Sequence, residues 1–191
     1  MFYVFIVIAY LLGSISPSII LGRLAGVDIK KEGSGNAGTT NTLRVLGKKA
    51  ALITLIVDIG KAVLAVLLGN TQGSLCGYIC ALAVFAGHIW PVYFGFKGGK
   101  GVAAAFGAVL MVNWKVALIS LAIAAVLTLI TKRMSVGSIF AAAGMAVLSI
   151  FMEKGFWPFA AVIAVIIIIK HRGNIKRLLA GEEPPISFKK K

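Results

Sequence analysis

The chain has 191 residues, 59% hydrophobic and only 14% charged, with a mean hydropathy of +0.96. A soluble domain carries roughly a quarter charged residues, so a water-soluble globular fold is excluded and the long apolar runs specify membrane. The net charge of +14 is placed between those runs, without a stacking-rich basic surface; it excludes a nucleic-acid partner and fits anionic headgroups and phosphate-bearing substrates.

The first apolar run, Phe2–Leu24, lacks a basic leader and is too long for a signal-peptide core, so it is expected as a retained transmembrane helix. After it comes Gly33-Ser34-Gly35-Asn36-Ala37-Gly38-Thr39-Thr40-Asn41, then Arg44. Gly33–Gly38 matches G-x-G-x-x-G in form only, because a membrane helix precedes it where a dinucleotide fold needs a strand. The physics still transfers: glycines let backbone N–H groups converge on an anion, and hydroxyls and amides add donors. Ser34, Gly35, Asn36, Thr40, Asn41 and Arg44 are therefore candidate phosphate contacts.

Ala50–Leu68 follows, carrying Asp58 and Lys61 three residues apart, a pair that neutralises itself or ties helices together. In Leu75–Phe94, Cys76 and Cys80 sit in apolar surroundings and are expected as small buried side chains. His88 near the end of that run either orients the next loop or acts on a substrate. The loop Phe96-Lys97-Gly98-Gly99-Lys100-Gly101 places Gly98 and Gly99 beside Lys100, a second candidate phosphate cradle with Lys100 as the point charge.

Val102–Val112 is too short for the ~20 residues of a straight crossing, so it is tilted, partial or re-entrant. Val116–Ile130 and Val136–Met152 come next, the latter opened by Ser135 and Ser138, where a serine caps the helix or its N–H groups meet an anion. Phe156–Ile169 is the last run. Beyond it, His171 and Asn174 share a face if the helix continues, and Lys176 and Arg177 suit anionic lipid.

With the N-terminus outside, every lysine and arginine except Lys61, Lys115 and Lys154 falls on the inner side, including the tail lysines Lys189, Lys190 and Lys191. The positive-inside rule then gives an N-out, C-in topology, which needs an odd number of crossings. The expected fold is all-α and polytopic, with seven transmembrane helices in a single domain, 1–191. All the polar clusters then lie on the cytoplasmic face.

Together these motifs resemble the PlsY family, the acyl-phosphate:glycerol-3-phosphate acyltransferases of bacterial phospholipid synthesis. The resemblance rests on Gly33-Ser34-Gly35-Asn36 with Thr40-Asn41 and Arg44, and on Asp58 to Lys61. It continues through Gly87-His88, Pro91, Phe96–Val102, Ser135 and Ser138, and closes on His171-Arg172, Asn174-Ile175, Arg177-Leu178-Leu179 and Gly181. Thr39 stands where the family usually has alanine. The resemblance implies a seven-helix inner-membrane enzyme that acylates glycerol 3-phosphate from acyl phosphate, without a metal, an organic cofactor or an obligate protein partner. It assigns His171, Asn174, Ser138 and Lys100 to catalysis, with His171 or a substrate phosphate taking the hydroxyl proton. The other acyltransferase design, H-x4-D, is missing: Tyr93 and Lys176 stand where its aspartate would be. The alternative from another class is a transporter of organic phosphates, built from the same glycine loops and cations.

Overall fold

The computed structural model describes residues 1–186; Lys189, Lys190 and Lys191 lie outside them. Regular structure among the described residues is entirely helical. The chain divides into two compact units, Met1–Met111 and Val112–Ile186, each described by itself below.

In the first unit the leading apolar run is broken into α1 (Phe2–Ser14) and α2 (Pro17–Leu24). Pro17 has no N–H to continue α1, and it forces Ser16 into an extended conformation (φ −113°, ψ 94°). The break frees carbonyls inside an apolar span, where each must find a donor. Lys61 supplies it, its Nζ donating to the Gly13 and Ile15 carbonyls at 2.9 and 2.6 Å. Next to the break, the Ser14 hydroxyl donates to the Tyr10 carbonyl and accepts from Val92 N.

The unit continues through α3 (Thr39–Leu46), α4 (Lys48–Asn70), α5 (Ser74–Ile89), a 3-10 turn at Val92–Phe94, and α6 (Val102–Val112). Helices α1 and α5 approach through glycines: a Cβ at Gly13 would collide with the Val84 carbonyl, and one at Gly87 with the Tyr10 carbonyl. Small residues permit this closeness in lipid, where van der Waals contact replaces the hydrophobic drive. Cys76 and Cys80 are buried free thiols, packed beneath Gly69 of α4, as their apolar setting predicted.

The second unit holds α7 (Trp114–Thr131), α8 (Met134–Met152), α9 (Trp157–Lys170) and α10 (Arg172–Leu179). Asn113 caps α7 by accepting from Lys115 N and Val116 N, and its amide reaches the Met152 carbonyl and Glu153. Helices α9 and α10 meet at His171 with a bend of 54°, so the last helix does not run on straight.

Among the described residues, five helical segments are long and apolar enough to cross a membrane: Phe2–Leu24, Lys48–Asn70, Ser74–Phe94, Trp114–Thr131 and Met134–Met152. The bent pair α9–α10 makes a sixth if counted as one span. The exposed faces agree: α4 turns out Leu52, Ile53, Ile56, Leu64 and Leu67, and α7 turns out Leu118, Leu121, Leu129 and Ile130. Such apolar surface suits a multi-pass membrane protein. Helix α6, with 11 residues, spans about 16 Å and stays below that length.

Candidate functional site

The predicted site residues fall into two groups, one in each unit. In the first unit, Gly33 and Gly35 adopt positive φ (+60° and +68°), and the loop they shape is held from inside by Asn41. The Asn41 amide donates to the Ile29 and Glu32 carbonyls at 2.9 and 3.0 Å and accepts from Ser34 N at 2.8 Å. It is fully buried. Asn41 was expected to touch phosphate; the structure instead commits it to its own loop, because a turn-rich segment in an apolar setting must satisfy its backbone groups internally.

The loop delivers the N-terminus of α3. Asn41 N and Thr42 N both donate to the Gly38 carbonyl, and no side chain caps the helix. The first N–H groups of such a helix lack intrahelical partners and favour an anion. The Asn36 amide nitrogen lies against Gly38, and the Thr39 hydroxyl is buried without a hydrogen-bond partner. Thr40 and Arg44, one turn apart, are half-buried, while Ser34 and Gly35 are exposed.

The second glycine loop folds back on the end of α5: Gly98 N donates to the Ile89 carbonyl and Gly99 N to the His88 carbonyl, at 3.1 and 3.2 Å. A Cβ at Gly99 would collide with both the His88 ring and the Ala37 carbonyl. The two glycine motifs, over sixty residues apart in sequence, therefore touch at Gly99 and Ala37. Lys100 is the next residue, half-buried.

Below this junction lies a buried ionic network. The Asp58–Lys61 pair predicted from the sequence closes at 2.8 Å, and His88 joins it, its Nδ1 lying 3.2 Å from both Asp58 Oδ1 and Lys61 Nζ. The His88 ring is thereby held between this network and Gly99 of the second loop. A neighbouring cavity of about 410 Å³ is lined by Arg23, Asp28 and Lys30 among others, and by none of the predicted site residues. Burial pushes the Lys30 ammonium below its ordinary value; nearby Lys97 and Arg23 add to this and Asp28 opposes it.

In the second unit the polar side chains are themselves buried: Ser135, Ser138, His171, Asn174 and Glu183. Helix α8 begins at Met134 after Arg133, so Ser135 does not cap it; its hydroxyl donates to Glu183 Oε1 at 2.8 Å. Ser138 donates to the Met134 carbonyl at 2.9 Å. His171 Nδ1 lies 2.8 Å from the Ile167 carbonyl. A carbonyl only accepts, so Nδ1 carries a proton and donates it to Ile167.

Sequence reasoning missed Glu183. Its Oε1 also accepts from the Asn174 amide, and its Oε2 from Arg177 Nε at 2.8 Å. Burial alone would push this carboxyl up, but the hydrogen bonds from Asn174, Ser135 and Arg177, with the Arg177 charge, outweigh it and hold it below its ordinary value. The available signal was two acids, Glu182-Glu183, following Gly181 in an otherwise basic tail.

Residues 3–181 match the family model for glycerol-3-phosphate acyltransferase. A relative of that name from Clostridioides difficile (strain 630) is 45% identical over 96% of this chain and 95% of its own length. One from Thioalkalivibrio sulfidiphilus (strain HL-EbGR7) is 44% identical over 96% and 93%. Among solved structures, the crystal structure of PlsY, an integral membrane glycerol 3-phosphate acyltransferase, in its glycerol 3-phosphate form superposes with a TM-score of 0.94. It is 36% identical, over 97% of this chain and 96% of that one. Its lysophosphatidic acid form gives 0.90 at the same identity, over 98% and 96%. These matches are to acyltransferases, and the transport alternative is set aside.

Proposed function

Because the chain belongs to the glycerol-3-phosphate acyltransferase family, we propose that it transfers an acyl group from acyl phosphate to glycerol 3-phosphate, giving 1-acylglycerol 3-phosphate and inorganic phosphate. The observation that carries this reading is the junction at Gly99 and Ala37, where two glycine loops, an uncapped helix N-terminus and the unpartnered Thr39 hydroxyl come together. That set of donors suits a phosphoryl group, as both substrates require.

The donor is an activated mixed anhydride, so the protein's burden is positioning and charge neutralisation. The glycerol hydroxyl oxygen bonds to the acyl carbonyl carbon, the bond from that carbon to the phosphate oxygen breaks, and the hydroxyl proton ends on the released phosphate. Gly35, Gly98 and Gly99, whose own N–H groups are spent on the Glu32, Ile89 and His88 carbonyls, shape the phosphate cradle. The Ser34, Asn36 and Thr40 side chains and the first N–H groups of α3 supply its donors, with Lys100 and Arg44 neutralising charge, Arg44 in bidentate fashion. Ser138, His171 and Asn174 orient glycerol 3-phosphate, and the His171 Nε2 lone pair accepts from its hydroxyl. Since Nδ1 is already committed, His171→Gln tests this: near-normal turnover would remove histidine from the proton path and leave the substrate phosphate as base.

We read the whole chain, 1–191, as one integral-membrane acyltransferase domain in the bacterial inner membrane, with seven crossings, α6 being the short fourth, and the site facing the cytoplasm. The distribution of lysine and arginine supports that orientation. The experiment that tests the reaction supplies purified protein in lipid with radiolabelled glycerol 3-phosphate and either palmitoyl phosphate or palmitoyl-CoA, alongside Lys100→Ala. Product from the acyl phosphate only, lost in the variant, is the expected result. No product from either donor with folded protein would overturn the assignment.

A further inference from the structure

Of the six acidic residues, Asp58 and Glu183 alone are buried. Asp58 has Lys61 and His88; Glu183 lies two residues beyond the segment matched by the family model and has no role in the reaction as derived above. Its place follows from the end of α10. Gly181 turns the chain with φ +74°, and Glu182 N and Glu183 N both donate to the Arg177 carbonyl, at 2.7 and 3.2 Å. That reversal carries Glu183 back over Asn174 and against Ser135 of α8. The connection is fastened on either side, Arg133 Nε donating to the Glu183 carbonyl at 3.1 Å and Ile186 N to the Lys132 carbonyl at 2.8 Å.

An ionised carboxylate only accepts hydrogen bonds. Asn174 must therefore turn its NH2 toward Glu183 and its carbonyl oxygen the other way. The two ends of an asparagine amide are nearly isosteric, so shape alone does not choose the orientation, whereas a partner that only accepts does. Ser135 and Arg177 donate to the same carboxylate and fix it in turn.

We propose that Glu183 is a positioning residue for glycerol 3-phosphate, acting by locking the orientation of the Asn174 amide. This rests on the reading of Asn174 as a contact of glycerol 3-phosphate.

The test is a double-mutant cycle in purified protein with palmitoyl phosphate as donor. Glu183→Gln, which keeps the volume and one acceptor, lowers kcat/KM for glycerol 3-phosphate about 10-fold and leaves KM for palmitoyl phosphate unchanged. In an Asn174→Ala background the same substitution costs less than about 2-fold, because there is no amide left to orient. Melting midpoints in detergent serve as the folding control, and Glu183→Ala gives a second cycle should the glutamine variant fold poorly. Equal losses in both backgrounds, or a parallel rise in KM for the donor, would overturn the proposal, since general loosening produces both. Full activity in Asn174→Ala with Glu183 intact would remove Asn174 from the site and the proposal with it, an outcome visible before Glu183 is touched.

Discussion

The two candidate clusters, one in each unit, are built from different materials. In the first unit the candidate cradle is mostly backbone: two glycine loops, a helix N-terminus and a close approach of the Ala37 carbonyl to Gly99, beside a buried network of Asp58, Lys61 and His88. In the second unit the polar cluster is side chain throughout, with Ser135, Asn174 and Arg177 gathered on one carboxylate. A backbone cradle fails when a Cβ is added and tolerates changes of side-chain chemistry. A side-chain cluster has the opposite sensitivity.

The largest expected effect follows directly. Gly99→Ala drives a methyl into the His88 ring and the Ala37 carbonyl and should cost acyl transfer on the order of 100-fold. Its counterpart in the second unit, Gly173→Ala, meets only the Arg177 guanidinium at 3.7 Å. It should keep activity within about 2-fold and gain up to ~1 kcal/mol of helix stability. Equal losses from the two substitutions would break the comparison.

Next comes the support beneath the cradle. Lys61→Met leaves Asp58 buried without its cation and the Gly13 and Ile15 carbonyls without a donor, a loss of about 3–5 kcal/mol read as a lower melting midpoint in detergent. An unchanged midpoint would show that the network carries no stability.

A smaller effect sharpens the side-chain half. Glu183 titrates below its ordinary value in the folded protein, so its contribution is present above the unfolded value and lost as pH falls through the folded one. The stability gap between wild type and Glu183→Gln should therefore be constant at neutral pH and close in acid, below the ordinary glutamate value. A gap that opens on acidification would reverse the sign and sink the assignment. Smallest of all is Thr39→Ala. The hydroxyl has no protein partner, so melting should hold while KM for a phosphate substrate rises about 2- to 3-fold, as one neutral hydrogen bond allows. No change in KM would place that hydroxyl outside the cradle.

What was legible in the sequence follows the same division. The two glycine loops could be picked out because tight turns and close backbone approach need glycine, and the Asp58–Lys61 spacing sufficed for an ion pair. The sequence did not disclose that His88 completes that pair or that Asn41 serves its own loop, since both depend on contacts across many residues. The break after Ser14 was signalled by Ser16-Pro17, but hydropathy alone merges the two helices into one run. Glu183 was hidden by its neighbours: in a tail read for its positive charge, one carboxylate is easily taken as solvated.

The broken first span has a further consequence, for biogenesis. The carbonyls of Gly13 and Ile15 find their donor on α4, nearly fifty residues later in the chain. Until that segment has been synthesised, the first span carries unsatisfied backbone at its break and has no low-energy resting place in hydrocarbon. Lys61 for its part enters the bilayer at least cost when those acceptors are already there. The first two spans are thus suited to leaving the insertion machinery as a pair, each supplying what the other needs to dissolve in lipid.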